Sequence, residues 1–190
     1  TLLNEGFTYA DGNLVPNNGW VTYSGTGDIQ VVSSAVTGQM GVSASGADDH
    51  TPFTLRTTSE VTYACFDVMI PCATYPATAP LAGYFAGFNT TANTTLMVSR
   101  VYVLPITGGW TFGLSNASTG SVYGATPWGS TTLSCDVWYR IVIKYDPTTG
   151  TSTMWVNPVN EASPSITNTN NSLAAVAVST FFLRQGAASS

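Results

Sequence analysis

The fold is decided by residues 138–150, which read WYRIVIKYDPTTG. Apolar and polar positions alternate through the first eight residues, so one face carries two tyrosines and two isoleucines while the other carries Arg140 and Lys144. The DPTTG that follows has the composition of a tight turn, and it leads into a second apolar segment at residues 151–157. The segment therefore predicts a β-hairpin with one packed face and one wet face.

The rest of the chain also consists of short strand-forming segments separated by turns. Short β-branched and aromatic runs alternate with clusters of Gly, Pro, Asn and Asp, which predicts about eleven strands. Residues 60–70 are apolar on both alternating sets, which favours a strand covered on both faces. We expect an all-β protein, a two-sheet antiparallel β-sandwich, with residues 1–190 forming a single domain.

The composition excludes several classes of protein. Only 8% of the 190 residues are charged, the net charge is -5, and Ser and Thr fill 48 positions. The five basic residues are scattered, so we expect no nucleic-acid partner. No apolar run approaches the roughly 20 residues that a membrane helix needs, so we expect no membrane insertion.

Four motifs resemble a known family. They are FTYADGNL at residues 7–14 followed by Gly19-Trp20, WYRIV at 138–142, MWVNP at 154–158 and FLRQG at 182–186. Together they resemble the LamG-like jelly-roll domains of secreted bacterial proteins, within the concanavalin A-like lectin and glucanase superfamily. The resemblance implies a jelly roll, but that superfamily includes lectins, hydrolases, adhesive modules and structural domains, so the activity stays open.

The cysteines and the first residue give evidence about the cellular compartment in which the protein works. The chain begins at Thr1, and we interpret it as a mature product whose export signal has been removed. Cys72 and Cys135 both flank predicted strands and are the preferred disulfide pair, with no bridge as the alternative. Cys65 lies within a strand and is expected to be a buried apolar residue. We expect a secreted, extracellular protein at the cell surface.

Catalytic residues are not evident in the sequence. Hydrolysis of a glycosidic bond needs two carboxyl groups about 5 to 9.5 Å apart. The superfamily's hydrolases place them in a Glu-x-Asp-x-Glu pattern on one strand, which is absent here, and Glu60 and Asp67 fall on opposite faces. With His50 as the one histidine and no Gly-x-Ser-x-Gly motif, serine hydrolase chemistry has no support either. We predict that the protein is not an enzyme and has no cofactor.

Several charged residues have a structural interpretation. Asp67 lies among apolar residues and needs a partner if buried, and Arg100 is the leading candidate for a buried ion pair. Asp48-Asp49-His50 is interpreted as a solvated loop, because nothing adjacent supplies the further oxygen ligands of a calcium site. We predict no metal site.

Exposed aromatic residues could bind sugars by stacking. The aromatic residues in turn-rich segments form the candidate set Trp110, Trp128, Tyr123 and Tyr75. Four Asn-x-Ser/Thr sequons, at Asn89, Asn93, Asn116 and Asn170, are candidate glycosylation sites, although chance alone predicts about three.

Two functions follow from these patterns. The first is a non-enzymatic extracellular assembly protein, the subunit of a surface layer, fibre or adhesin. Residues 81–88 and 178–182 carry no charge and so lack the usual protection of sheet edges, which favours other copies of the chain as partners. The alternative is a carbohydrate-binding module with glycans as partners.

Overall fold

The computed structural model describes residues 2–33, 35–37, 47–71, 83–90, 93–116, 125–129, 132–169 and 175–185. These ranges contain one short 3-10 turn, Asn17–Gly19, and otherwise strands and connections. The strands are β1 (Gly12–Asn13), β2 (Val21–Ser24), β3 (Gln30–Val32), β4 (Ala35–Thr37), β5 (Asp48–Arg56), β6 (Thr62–Met69), β7 (Gly83–Thr90), β8 (Asn93–Ile106), β9 (Gly109–Ser115), β10 (Thr126–Pro127), β11 (Trp138–Asp146), β12 (Thr151–Val156), β13 (Ile166–Asn168) and β14 (Val178–Arg184). No helix among them is long and apolar enough to cross a membrane.

The strands form three antiparallel sheets. The seven-stranded sheet has the order β10-β9-β8-β7-β14-β5-β2, the four-stranded sheet β13-β12-β11-β6, and a small third sheet β1-β3-β4. The main core fills the space between the two larger sheets, where Phe88, Phe112 and Ile141 are at most 1% exposed. A second core, which includes Leu14 and Trp20, packs beside the small sheet. The prediction of a two-sheet antiparallel β-sandwich is confirmed.

The hairpin that the sequence predicts is present at β11 and β12. The two strands pair in register from Ile141 opposite Val156 to Asp146 opposite Thr151. The inward-facing tyrosines and isoleucines of β11 are all buried. Gly150 ends the turn at a φ of 65°, a conformation that costs glycine little. Local alternation was therefore sufficient to place this element and its buried face.

Two expectations about strand position are wrong. β6 is not covered on both faces: among the described strands it lies at the border of the four-stranded sheet, its Tyr63 is exposed, and so is Val61 just before it. The uncharged segments 81–88 and 178–182, which suggested open edges, have their described residues in β7 and β14, and each of these strands has a neighbour on both sides in the seven-stranded sheet. Their uncharged sequences reflect interior positions, so they offer no unpaired edge to another copy.

The cysteines divide into bonded and free. Cys135 is disulfide-bonded, whereas its predicted partner Cys72 lies outside the described residues. Cys65 carries a free thiol and is exposed, so the expectation that it is buried is wrong. The reason is alternation along β6: Ala64 and Phe66 pack against the main core, so Cys65 and Tyr63 lie on the opposite face, which is open to solvent.

A buried polar network joins the two large sheets. The Ser99 hydroxyl on β8 lies 2.7 Å from the Ser152 hydroxyl on β12, and Ser152 donates a hydrogen bond of 2.8 Å to Asn116 Oδ1. Asn116 Nδ2 donates to the Gly150 carbonyl, and its backbone N–H donates to Asn168 Oδ1. Because Ser99 has a positive φ of 51°, this network also holds a strained residue inside a strand.

Glu5 organises the N-terminal segment. Its carboxylate accepts hydrogen bonds from the Phe7 backbone N–H, the Tyr9 hydroxyl, Asn18 Nδ2 and, at 3.0 Å, from Trp20 Nε1. Partial burial raises the pKa of Glu5, but the four donors together outweigh it and hold the pKa below its ordinary value. The ionised form is therefore the form that stabilises this segment.

We expect Glu5→Gln to lower the free energy of unfolding at about pH 7. We also expect the free energy of unfolding of this variant to fall less than that of the wild type as the pH decreases. A group with a depressed pKa adds stability above its unfolded-state pKa and loses it as the pH falls through the folded-state pKa. Urea unfolding at about pH 7 and about pH 3 measures the effect, with the variant closer to the wild type at the lower pH. An equal difference at both pH values would contradict this role for the ionised carboxylate.

Candidate functional site

The outer face of the seven-stranded sheet, opposite the main core, carries a cluster of aromatic and basic side chains. On β8 the residues Val101 and Val103 belong to the core, so Arg100 and Tyr102 project to the other face. Strand pairing then sets Tyr84 opposite Tyr102, and Arg184 opposite Asp48. We call this group the tyrosine–arginine cluster and define it as Tyr23, Asp48, His50, Tyr84, Arg100, Tyr102 and Arg184.

Tyr84 lies at the centre of the cluster. The Arg184 Cζ atom is 4.3 Å from the centroid of the Tyr84 ring, and the Arg100 Cζ atom is 5.0 Å from it. The Tyr102 ring lies 5.5 Å from the Tyr84 ring and 5.6 Å from Arg100 Cζ. These are cation–π distances, so one tyrosine ring contacts two guanidinium groups.

A second aromatic pair adjoins the charged residues. The rings of Tyr23 and His50 stack at 5.0 Å with an interplanar angle of 12°. Asp48 accepts a short hydrogen bond from the Ser24 hydroxyl, and its Oδ1 lies 3.3 Å from Arg184 Nε. Tyr23, Tyr84 and Arg184 are half-buried, whereas His50 and Arg100 are buried. The cluster is therefore partly open to solvent above a buried base.

Burial controls the protonation of the cluster. It raises the pKa of Tyr102 to about 12 and also raises the pKa of Tyr23, so both phenols remain protonated near neutral pH. Burial lowers the pKa of His50, which leaves a neutral imidazole with one donor and one acceptor. For Asp48, burial raises the pKa against the lowering effects of Ser24 and Arg184.

Several buried polar atoms in and beside the cluster have no hydrogen-bond partner in the described structure. Tyr23 OH, His50 Nδ1, Asn89 Nδ2 and Thr180 Oγ1 are among them. Asn89 on β7 pairs with Thr180 on β14. Two residues further along β14, Phe182 pairs with His50 on β5. Three of the four atoms therefore belong to neighbouring positions on β5, β7 and β14. Buried polar groups in folded proteins are nearly always satisfied by protein groups, ordered water or a ligand, so these atoms mark positions where such a partner would bind.

The predicted stacking residues are not the ones that the structure brings together. Trp110 is 2% exposed and makes edge contacts with Phe112 and Tyr139, so its prediction as an exposed stacking residue is wrong. It lies on the core face of β9, two residues before Phe112. Trp128 is half-buried and packs against the same core. Tyr123 and Tyr75 lie outside the described residues.

The predicted ion pair between Asp67 and Arg100 is also wrong. Asp67 on β6 accepts two hydrogen bonds from Arg140, at 2.8 and 2.9 Å, because the two residues pair directly across β6 and β11. Arg140 is the main cause that lowers the pKa of Asp67. Arg100 lies in the other large sheet, beside Tyr84. The Asp67–Arg140 ion pair is exposed, so it contributes little to stability.

The Asp48-Asp49-His50 segment is not a solvated loop. It begins β5, and all three residues are buried. The sequence offered one indication of this, since the following TPFTLR contains β-favouring residues. Among the described residues, no group of three or more His, Cys, Asp or Glu side chains is placed to hold a metal ion.

Two of the four sequons are buried. Asn89 is 0% exposed and Asn116 is 1% exposed, and Asn116 belongs to the network that joins the sheets. Neither side chain can carry a glycan in this fold, so these two candidate glycosylation sites are corrected to structural residues. Asn170 and the side chain of Asn93 lie outside the described residues.

Comparison with known proteins identifies the fold. No family model and no curated protein matches the chain. Among solved structures, peanut lectin in complex with a nonapeptide superposes with a TM-score of 0.52 at 15% identity, covering 94% of this chain and 89% of the lectin. Two structures of lectin II from Ulex europaeus, one in complex with galactose, give TM-scores of 0.47 at 15% identity over 93% of this chain and 89% of theirs. The chain has the concanavalin A-like jelly-roll fold, as the sequence motifs implied.

Proposed function

We propose that this protein is a non-enzymatic carbohydrate-binding module, and that it binds its ligand at the tyrosine–arginine cluster. The observation that carries the proposal is the cluster itself, in which a half-buried tyrosine ring lies beside buried polar atoms without partners. The lectin-like fold is consistent with this function but does not establish it, because one fold serves many functions.

The chemistry of the cluster suits a sugar. A sugar ring offers an apolar C–H face, which can pack against the part of the half-buried Tyr84 side chain that the two guanidinium groups leave exposed. Its hydroxyl groups both donate and accept hydrogen bonds. Tyr23 OH and His50 Nδ1, at the base of the cluster, can each take part in such bonds with a hydroxyl group that enters it. A hydroxyl-rich ligand would therefore satisfy donors and acceptors together.

The same residues favour binding over cleavage. A glycosidase needs two carboxyl groups on either side of the bond. Among the described residues of the cluster, Asp48 supplies one carboxylate, and Ser24 and Arg184 already contact it. The neighbouring Asp49 projects to the opposite face of β5, as alternation along a strand requires.

We propose an extracellular location. The disulfide at Cys135 is typical of an oxidising compartment, and the hydroxyl-rich, weakly charged composition is compatible with it. The main reason to expect self-association no longer holds, because β7 and β14 are interior strands rather than free edges. The assembly role therefore stays a prediction from composition alone.

We expect Tyr84→Ala to weaken glycan binding at least about tenfold, because it removes the ring that the other cluster residues contact. A glycan array identifies the ligand for the wild type, and calorimetry then compares the variants. Tyr84→Phe keeps the ring and should retain most of the affinity. Tyr63→Ala is the matched control, since Tyr63 is a partly exposed tyrosine on the other large sheet.

Two results would overturn the proposal. One is the absence of wild-type binding to any glycan on the array. The other is equal affinity for the wild type, Tyr84→Ala and Tyr63→Ala, with thermal unfolding showing that all three are folded. Loss of binding in Tyr63→Ala alone would move the site to the four-stranded sheet.

A further inference from the structure

We propose that the outer face of the four-stranded sheet is the interface of a weak homodimer, in which two copies of the chain pack face to face. This face points away from the main core, because the alternate residues Tyr139, Ile141 and Ile143 of β11 belong to that core. The inference concerns the other large sheet from the tyrosine–arginine cluster, so it does not rest on the proposed function. We call the surface the β11 face and define it by Tyr63, Cys65, Trp138, Arg140, Val142 and Lys144.

The β11 face concentrates exposed aromatic surface. Trp138 is 57% exposed and Tyr63 is 46% exposed. They are the two aromatic side chains that are exposed within the described ranges, and both lie on this one face. Val61, just before β6, is exposed as well. Exposed apolar surface of this kind marks interaction sites, and Trp and Tyr are among the residues that contribute most to protein interfaces.

The polar groups of the β11 face already pair with one another. Asp67 accepts two hydrogen bonds from Arg140, and the Tyr63 hydroxyl donates to Glu161. A sugar is held by hydrogen bonds to its hydroxyl groups, and these pairs are already using the groups that would form them. The face therefore suits a protein partner that supplies apolar contact and a matching shape.

The charges of the face favour a second copy as that partner. Arg140 pairs with Asp67, and Lys144 and Glu161 both lie at the Tyr63 side chain, so two cations meet two carboxylates. The chain as a whole carries a net charge of -5, so two copies repel each other over most of their surface. They repel least where this balanced face meets its own equivalent, and a strongly charged partner gains no attraction from it.

The strand pairing gives the face a regular shape and a limited area. β6 pairs with β11, and β11 with β12, without a register shift, so side chains project at even intervals. Sheets pack well on other sheets of this kind. With strands about 4.8 Å apart and about 3.4 Å per residue, the four strands cover about 400–500 Å² on each copy. A dimer would bury about 800–1,000 Å² in total, which is typical of a weak, reversible association.

Cys65 gives a separate reason to expect that the face is covered. It pairs with Val142 at the middle of the face, and its thiol is free and exposed. Cys135 in the same chain is disulfide-bonded, and conditions that maintain a disulfide also oxidise an exposed thiol. A second copy packed over Cys65 would shield the thiol from such oxidation.

The dimer would direct its two ligand sites away from each other. The tyrosine–arginine cluster lies on the outer face of the seven-stranded sheet, and the main core separates that sheet from the β11 face. Two copies joined at their β11 faces therefore carry the clusters on opposite sides. The consequence for binding rests on the proposed function: one dimer would hold two separate glycan chains, with the gain in avidity that two sites provide.

Sedimentation velocity of the full chain, from about 10 μM to about 1 mM, tests the inference. The mean mass of the wild type should rise with concentration toward twice that of the monomer. Trp138→Lys should weaken the dimer about tenfold or more, because it removes a large apolar contact and adds a charge to a balanced face. Leu55→Lys is the matched control. It places the same charge at a 55% exposed apolar position on β5, and it should associate as the wild type does.

The Cys65 thiol reports on the face directly. Maleimide labelling, followed by mass spectrometry of the peptide that contains Cys65, measures how accessible the thiol is. In the wild type and in Leu55→Lys the labelling rate should fall in proportion to the remaining fraction of monomer. In Trp138→Lys it should stay constant over the concentrations at which the wild type dimerises. Thermal unfolding of dilute samples shows that each variant is folded.

Three results would overturn the inference. One is a wild type that stays monomeric at every concentration. Another is a dimer in which Cys65 reacts at the monomer rate, or which Trp138→Lys leaves unchanged, because the copies would then associate elsewhere. The third is a monomer in which an arrayed glycan protects Cys65, which would assign the face to that ligand. The first two leave glycan binding at the tyrosine–arginine cluster intact, because the Tyr84→Ala comparison tests it separately.

Discussion

Phe112→Ala is expected to lower the free energy of unfolding by about 3–5 kcal/mol, the largest effect of any substitution considered for this protein. Phe112 is 0% exposed on the core face of β9. Its ring contacts Trp110 at 5.1 Å, Tyr139 at 5.8 Å and Phe85 at 6.3 Å. Alanine removes these contacts and leaves a cavity between the two large sheets, where rigid neighbours cannot close it.

Urea unfolding of the wild type, Phe112→Ala and Phe112→Leu measures this effect. Leucine refills part of the space, so its loss should be clearly smaller than that of alanine. Val159→Ala is the control, because Val159 is 92% exposed and its truncation should change stability by about 0.5 kcal/mol or less. A loss below about 1 kcal/mol for Phe112→Ala would contradict the placement of this core.

Asn116→Ala is expected to cost about 2–4 kcal/mol, because it disrupts the polar network between the sheets. The Asn116 amide accepts from Ser152 at 2.8 Å and donates to the Gly150 carbonyl at 2.8 Å. Both partners are buried, so the substitution leaves polar groups that water cannot reach. The exposed Asn160→Ala, in the loop after β12, should cost about 0.5 kcal/mol or less.

A double-mutant cycle tests whether the network acts as a unit. Ser152→Ala combined with Asn116→Ala should cost less than the sum of the two single substitutions, by at least about 0.5 kcal/mol. Strict additivity would show that the hydrogen bond between these residues contributes little. It would also reassign the cost of Asn116→Ala to the backbone groups that Asn116 contacts.

The sequence predicted those parts of the fold that depend on local alternation. β11 and β12 could be placed because fewer than about twenty consecutive residues determine both their buried face and the turn between them. β6 could not be placed, because an apolar outer face does not distinguish a central strand from one at a border. The uncharged residues 81–88 and 178–182 were misinterpreted for a related reason, because an interior strand and an unprotected edge can both lack charge.

The candidate site could not be predicted, because it depends on strand pairing between distant segments. Tyr84 and Tyr102 meet through the β7–β8 ladder, which contains register shifts that change which face a residue occupies. Arg184 reaches Tyr84 only because β14 lies between β5 and β7. The turn-rich sequence around Trp110 favoured this residue as an exposed aromatic side chain. Alternation within β9 places it in the core instead.

The central claim is that the tyrosine–arginine cluster on the seven-stranded sheet is the ligand site. It is tested by an NMR titration of the isotope-labelled protein with an oligosaccharide of the tightest-binding arrayed glycan. The largest amide shift changes are expected on β5, β7, β8 and β14, around His50, Tyr84 and Arg184. Changes centred instead on the four-stranded sheet, around Tyr63 and Trp138, with the cluster unaffected, would contradict it.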